Sequence, residues 1–254
     1  MVELSAKHLA KVFSTAIIQP NTTVRDVIDF VNDMKKYPFA SIGVDTYHLP
    51  LLVKLLEGTE IDVACTIAYP LGGLPLELKV KQVRWAVAHG AEEVDVVMNV
   101  SAFKSGKYDY VKREMEEVVR AAGDRIVKII PCTVYLTPEE IRRVARMMME
   151  AGVTMLKTNA GYGQVTRYRD VKIAKEEVGD GLFVMPAGGI RNADIALGMI
   201  RAGADRIDSG TPQDVFNSLH TAQRTYTDEE LEEIIKRIEE MNKAQPKIRG
   251  KVYD

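Results

Sequence analysis

Eight short apolar runs, each followed by an amphipathic stretch of helical length, constrain this chain more than any other feature. The runs are Val12–Ile18, Ser41–Asp45, Asp62–Tyr69, Glu93–Val100, Ile126–Thr133, Met155–Ala160, Leu182–Gly189 and Ala204–Gly210. Runs that are apolar nearly throughout, rather than strictly alternating, suit strands covered on both faces. Strands that alternate with helices build parallel sheets, because a parallel pair needs a crossover connection. Eight such units in 254 residues predict an α/β fold, a (β/α)8 TIM barrel in one domain.

Local signals support these cuts. Thr137-Pro138-Glu139-Glu140 offers an N-cap, a proline at the first helical position and a capping-box glutamate. Thr227 and Glu230 form the same box. Gly90, Gly152 and Gly203 each stand between a helix and the next strand, where a left-handed residue ends a helix. The barrel is expected over residues 1–222, and the polar, charged stretch 223–254 as a peripheral helix and a mobile tail.

Charge and composition narrow the function. Lys and Arg number 34 against 36 Asp and Glu, so there is no basic footprint for nucleic acid. The two cysteines, Cys65 and Cys132, exclude a disulfide framework. The four histidines have no HxH or HExxH spacing, so a zincin-type metal site is not expected, and no motif calls for a cofactor. No apolar run approaches the roughly 18 residues that span a bilayer, and charges interrupt the N-terminus where a signal peptide would be apolar. A reduced, cytoplasmic protein acting on a small molecule, without a membrane partner, is the expectation.

In such a barrel the chemistry sits at the C-terminal ends of the strands. With period two, Asp95, Val97 and Asn99 share one face of the fourth run. Lys128, Ile130 and Cys132 share a face of the fifth, and Met155, Lys157 and Asn159 of the sixth. Each run carries a charge among apolar neighbours, where burial is costly unless the charge is paired. A desolvated lysine beside a second cation has a lowered pKa and becomes a nucleophile toward a carbonyl. Its Schiff base stabilises a carbanion equivalent, which is class I aldolase chemistry. The bland alternative is a buried Lys128–Asp95 ion pair with Lys157 snorkelling to the rim. Each lysine alone fits that alternative better; the three charges together favour catalysis.

The run Lys157-Thr158-Asn159-Ala160-Gly161-Tyr162-Gly163 resembles the Lys-Thr-Ser-Thr-Gly-Phe-Gly signature of the 2-deoxyribose-5-phosphate aldolases. Ordered matches include Tyr69-Pro70-Leu71-Gly72, Val94–Val100, Lys104-Ser105-Gly106, Tyr135-Leu136-Thr137, Pro186–Arg191 and Gly203–Ile207, and the resemblance covers residues 8–222. It implies a (β/α)8 class I aldolase that joins acetaldehyde reversibly to glyceraldehyde 3-phosphate. It implies Lys157 as the Schiff-base lysine, Asp95 as the aspartate of the proton relay and Lys128 as the second active-site lysine. It is also compatible with a homo-oligomer, since members of that family are often dimers.

The departures from the family pattern matter as much. Met185 stands where the family has a further strand-seven lysine, so Lys157 lacks one cation that would lower its pKa. The family's Asp-His-Thr-Leu-Leu-Lys-Pro is here Ser14–Pro20, without its acid or its lysine, and Cys-Val-Asn is Gly43-Val44-Asp45. Gly188, Gly189 and Arg191 still offer a phosphate cradle, and Thr211 with Pro212 is expected to start a helix beside it. But Gly-Thr-Ser-Ser at the end of strand eight becomes Asp208-Ser209-Gly210-Thr211. A carboxylate there would repel a phosphate by on the order of a few kcal/mol at an effective dielectric of ~20. Either Asp208 pairs with Arg206 or Arg191, or the substrate's distal group is not phosphate.

The remaining candidates line the expected pocket. Thr133 and Asn159 are read as hydrogen-bonding substrate hydroxyls, with Ser209, Gly210, Met185 and Cys132 as neighbours. Cys132 itself reads as a small hydrophobe rather than a nucleophile. Asp45 and Tyr69 are specificity candidates at strand ends, and Tyr253 lies in an end expected to be disordered. Three functions compete: a class I aldolase of the family's kind, an aldolase or transaldolase with a different ketose or non-phosphorylated substrate, and a catalytically silent sugar- or aldehyde-binding barrel.

Overall fold

The computed structural model describes residues 3–246; the expected tail and Tyr253 lie outside them. Each apolar run contains a strand: β1 (Phe13–Ala16), β2 (Ser41–Val44), β3 (Asp62–Ile67), β4 (Glu93–Val97), β5 (Ile126–Ile130), β6 (Met155–Lys157), β7 (Phe183–Met185) and β8 (Ile207–Asp208). They pair in parallel in the order β7-β6-β5-β4-β3-β2-β1-β8. A parallel bridge between Ala187 and Asp208 joins the two ends. The amides of Asp205 and Asp208 reinforce it, donating to the Val184 and Pro186 carbonyls at 2.8 and 2.9 Å. The result is a (β/α)8 TIM barrel.

The helices α1 (Ala6–Ala10), α2 (Val24–Met34), α3 (Leu49–Leu56), α4 (Leu76–Ala88), α5 (Val100–Lys104) and α6 (Tyr108–Ala122) occupy the first half. They are followed by α7 (Pro138–Glu150), α8 (Tyr168–Val178), α9 (Ala193–Arg201), α10 (Pro212–Gln223) and α11 (Asp228–Ala244). Both expected capping boxes form, at Thr137/Glu140 and Thr227/Glu230. Gly90, Gly152 and Gly203 adopt φ of 96°, 75° and 102°, the left-handed joints that end α4, α7 and α9. Thr211 stands at the N-cap of α10 but makes no capping bond with its side chain, contrary to expectation. Its own amide is instead taken by Ser209 Oγ at 3.2 Å.

Strand alternation divides the interior in two. Outward residues such as Ile42, Val94, Ile129, Leu156 and Val184 pack against the helices in one large core. Inside the barrel Val97, Ile130, Cys132 and Ala160 form a small apolar cluster. Below and beside it the inward positions carry charge. Helix α11 docks through Ile234, Ile238 and Met241, all buried in the outer core. Just beyond its end, Gln245 donates to the Asp205 carbonyl at 2.7 Å and accepts from Arg206 Nε at 2.5 Å. The C-terminal helix thus braces the start of β8.

Arg206 and Lys128 both turn to Glu93, at 2.6 and 2.5 Å. Burial works against the charged Glu93, but the two cations outweigh it and pull its pKa from 4.5 to about 2. The folded pKa lies below the unfolded one, so the stability it contributes is complete above pH 4.5 and fades toward about 2. Glu93→Ala, which strands two buried cations, is expected to cost about 3–5 kcal/mol in urea unfolding. In Glu93→Gln the loss of stability between neutral pH and about pH 3 should be smaller than in the parent.

Candidate active site

At the C-terminal end of the barrel, Lys157 Nζ lies 2.6 Å from Asp95 Oδ2 and 3.2 Å from Asp208 Oδ2. The other Asp95 oxygen lies 2.9 Å from Lys128 Nζ, which in turn contacts Glu93. The series Asp208–Lys157–Asp95–Lys128–Glu93–Arg206 alternates in sign at every step. Strand register builds it: Asp95 is opposite Lys128, Lys128 is opposite Met155, and Lys157 stands two residues above Met155. The Asp208 side chain is 14% exposed and the other five at most 5%.

This arrangement reverses the expectation of a lowered lysine pKa. Burial disfavours the Lys157 ammonium, but Asp208 and Asp95 outweigh it and hold the group well above the ordinary 10.5. The reason is positional. The second cation, Lys128, lies on the far side of Asp95, and Met185, opposite Lys157 in register, brings no charge. The carboxylates diverge. Burial opposes the Asp95 charge, yet Lys128 and Lys157 draw its pKa to about 2. Burial pushes Asp208 upward from 3.8, with Asp95 adding to the rise and Lys157 opposing it. Asp208 therefore pairs with Lys157, and with neither Arg206 nor Arg191. Arg206 is committed to Glu93 and Gln245 at the other end of the barrel.

A cavity of about 410 Å³ reaches Lys157 through its partner Asp208 and is lined by Tyr69, Tyr162, Gly188, Gly189, Arg191, Asp208, Ser209 and Gly210 among others; Lys157 itself is not on its wall. Tyr162 spans its mouth: the hydroxyl donates to the Ile18 carbonyl at 2.6 Å, and the ring meets the Tyr69 ring at 5.9 Å. The Tyr69 hydroxyl donates to the Ala160 carbonyl. Gly188 and Gly189 take φ of 95° and 77°, and a Cβ on either would collide with Gln164 or Val165. Only glycine lets this loop pass so close. Ser209 Oγ donates to the Ile190 carbonyl at 2.7 Å, tying the loop to the end of β8.

Four expected pocket residues are instead buried in the frame. Thr133 and Asn159 are wholly buried. Asn159 donates to Thr166 Oγ1 at 2.9 Å and accepts from the Val134 amide at 3.2 Å, so its amide has no group free for a substrate. Together with Thr158, which bonds Thr166 and the Ala187 backbone, it locks the loops after β5, β6 and β7. Cys132, at φ 53°, packs against Val97, Ile130 and Ala160, and burial raises its thiol pKa. Met185 is fully buried beside Lys157 and is not on the cavity wall. Asp45 is engaged by His48, whose amide and Nδ1 lie 2.9 and 3.1 Å from it. Asn99, on the Asp95 face, caps α5. Conversely, Glu93 and Tyr162 were not among the candidates. Glu93 shares the period-two face of Asp95, and that was the available signal.

A (β/α)8 barrel with a buried lysine amine paired to a carboxylate on the wall of a small cavity defines an enzyme equipped for carbonyl chemistry. The sequence model of the DeoC/LacD family aldolase matches residues 14–211, and the chain belongs to that family. The deoxyribose-phosphate aldolase of Thermoanaerobacter sp. (strain X514) is 40% identical over 204 residues, 79% of this chain and 92% of that protein. The one from Thermococcus gammatolerans is 37% identical over 220 residues, 85% and 98% of the two chains. Among solved structures, an aldolase designated QR15 matches with a TM-score of 0.80 at 31% identity, over 86% of this chain and 99% of that one. A deoxyribose phosphate aldolase from Aeropyrum pernix, described as tetrameric, matches with a TM-score of 0.80 at 25% identity, over 85% and 93%. The chain is thus an aldolase, a lyase of carbon–carbon bonds. Among the described residues no helix is long and apolar enough to cross a membrane.

The Tyr162 bridge gives a direct prediction. Tyr162→Phe removes one hydrogen bond across the cavity mouth, worth about 0.5–1.5 kcal/mol. Steady-state kinetics should show KM rising roughly twofold to tenfold with kcat little changed, and the thermal midpoint should fall by no more than about 5 °C.

Proposed function

We propose that the chain is a class I, Schiff-base aldolase acting on a small phosphorylated hydroxyaldehyde of the 2-deoxyribose 5-phosphate kind, with Lys157 as nucleophile. The observation that carries this reading is the buried Lys157 amine, held between Asp95 and Asp208, the second of which lines the cavity. The names of the relatives support the substrate class.

In the cleavage direction the amine adds to the aldehyde carbon and water leaves, giving an iminium. The bond between the α and β carbons then breaks, its electrons flow into the iminium to form an enamine, and the β hydroxyl loses its proton as the second aldehyde departs. Protonation at the α carbon and hydrolysis release acetaldehyde. Asp95, anionic through the neutral range, faces the iminium cation and stabilises it, while Lys128 and Glu93 keep Asp95 charged and fixed.

The distal group fits the rim. Arg191 is exposed on the cavity wall and enters no ion pair among the described residues. Gly188 and Gly189 bring backbone close by, and α10 begins beside them, an arrangement that suits a phosphate. The Asp208 charge, compensated by Lys157, no longer argues against an anion there. The two free, buried thiols fit a reducing compartment such as the cytoplasm.

Borohydride added to protein with acetaldehyde, or separately with dihydroxyacetone, should leave a reduced adduct on Lys157 in the digest, and the donor that traps better names the nucleophilic half. Folded protein with no adduct from either donor would overturn Lys157 as the nucleophile. Lys157→Ala should lose about a thousandfold or more in cleavage. Arg191→Ala should raise KM for deoxyribose 5-phosphate and leave that for deoxyribose unchanged.

A further inference from the structure

We propose that Asp208 is the proton-transfer group for Lys157, a catalytic carboxylate at the end of β8 that does the work a neighbouring cation would otherwise make unnecessary. The inference rests on the Schiff-base reading of Lys157. It starts from a difficulty: an ammonium cannot attack a carbonyl, and this lysine is held as an ammonium by two carboxylates. Its proton needs a place to go that lies within the site.

Of the two carboxylates, only Asp208 suits. It touches Lys157 and also lines the cavity, so it reaches both the amine and an entering carbonyl. Asp95 is more deeply buried and its second oxygen is occupied by Lys128. The groups facing Asp208 are Lys157 from β6, Asp95 from β4, Lys128 from β5 and Tyr69 from the end of β3. On β7 the residue opposite Lys157 is Met185, which neither donates nor accepts a proton. The upward push on Asp208 and the downward pull on Asp95 agree with this division of labour. The position is also rigid, because the Ala187 bridge and the Asp208 amide bond to Pro186 fix the end of β8 against β7.

The steps balance. Asp208 takes one proton from the Lys157 ammonium, leaving amine and carboxylic acid. The amine nitrogen forms a bond to the carbonyl carbon, and the carbonyl oxygen takes the proton back from Asp208. Asp208 then removes the extra proton from nitrogen and delivers it to the carbinol hydroxyl, which departs as water. Lys157 is left as the iminium and Asp208 as the carboxylate. The same carboxylate can next remove a proton from the carbon beside the iminium, giving the enamine, so Asp208 serves imine formation and enamine formation alike.

The test compares the parent with Asp208→Asn, using acetaldehyde as the only substrate. Two rates are read against pH: borohydride-trapped imine on Lys157, and exchange of the acetaldehyde methyl protons with deuterium oxide. The parent should trap and exchange with little pH dependence near neutrality. Asp208→Asn should lose about a hundredfold or more in both, and its remaining rate should climb about tenfold per pH unit as the proton leaves to solvent instead. Formate added to Asp208→Gly should restore exchange by at least about tenfold, a recovery that a purely structural role would not give. A parent that never traps on Lys157 overturns the Schiff-base reading, and this inference with it. A parent that traps, beside an Asp208→Asn variant within threefold of it and with the same pH profile, overturns the inference alone. If Asp208→Asn does not fold, folded Asp208→Gly decides: no response to formate overturns it.

Discussion

A full charge on Lys157 inside a barrel is tolerable only because carboxylates from β4 and β8 meet it there. The rest of the interior follows from that requirement. Asp95 cannot be buried beside one lysine without Lys128 on its other oxygen, and Lys128 in turn needs Glu93. Glu93 accepts Arg206, and Arg206 is braced by Gln245 beyond the C-terminal helix. Each member would be costly to bury alone, and removal of any one leaves its neighbours uncompensated. The chain of charges therefore runs from the cavity end of the barrel to the end braced by Gln245.

The alternation of β and α elements made the fold legible in advance. All eight apolar runs hold strands, and the glycine joints at Gly90, Gly152 and Gly203 adopt the left-handed conformation their positions suggested. Period two also placed Asp95, Lys128 and Lys157 in one interior. It failed where strands stop. Strand β6 ends at Lys157, so Asn159 is not on the inward face but turned into a hydroxyl network with Thr158 and Thr166. Cys132 does join Ile130 in the inner cluster, though beyond the end of β5 and in a left-handed conformation. Sequence patterns report direction within a strand and carry no such information for the loop that follows it.

The partner of Asp208 was illegible for a different reason. Arg206 is two residues away along the chain, and Arg191 lies on the adjacent loop, so both are natural choices by sequence distance. Lys157 is 51 positions away and reaches Asp208 only because closure of the ring brings β8 round to β7 and β6. The same closure explains why the lysine is raised rather than lowered in pKa. A charge balance in a barrel is set across strands: Asp95 and Asp208 meet Lys157, while Met185 opposite it brings no charge.

At rest Lys157 is held as a charged ammonium between Asp95 and Asp208. The titration of its Nζ in the free protein, followed by NMR with lysine labelled at the ε carbon and assigned with Lys157→Arg, tests this most directly. Lys157 should stay protonated past the ordinary lysine value of 10.5 while the parent remains active at neutral pH. A Lys157 amine already neutral near about pH 8 would contradict the account, because the two carboxylates would then not govern its charge.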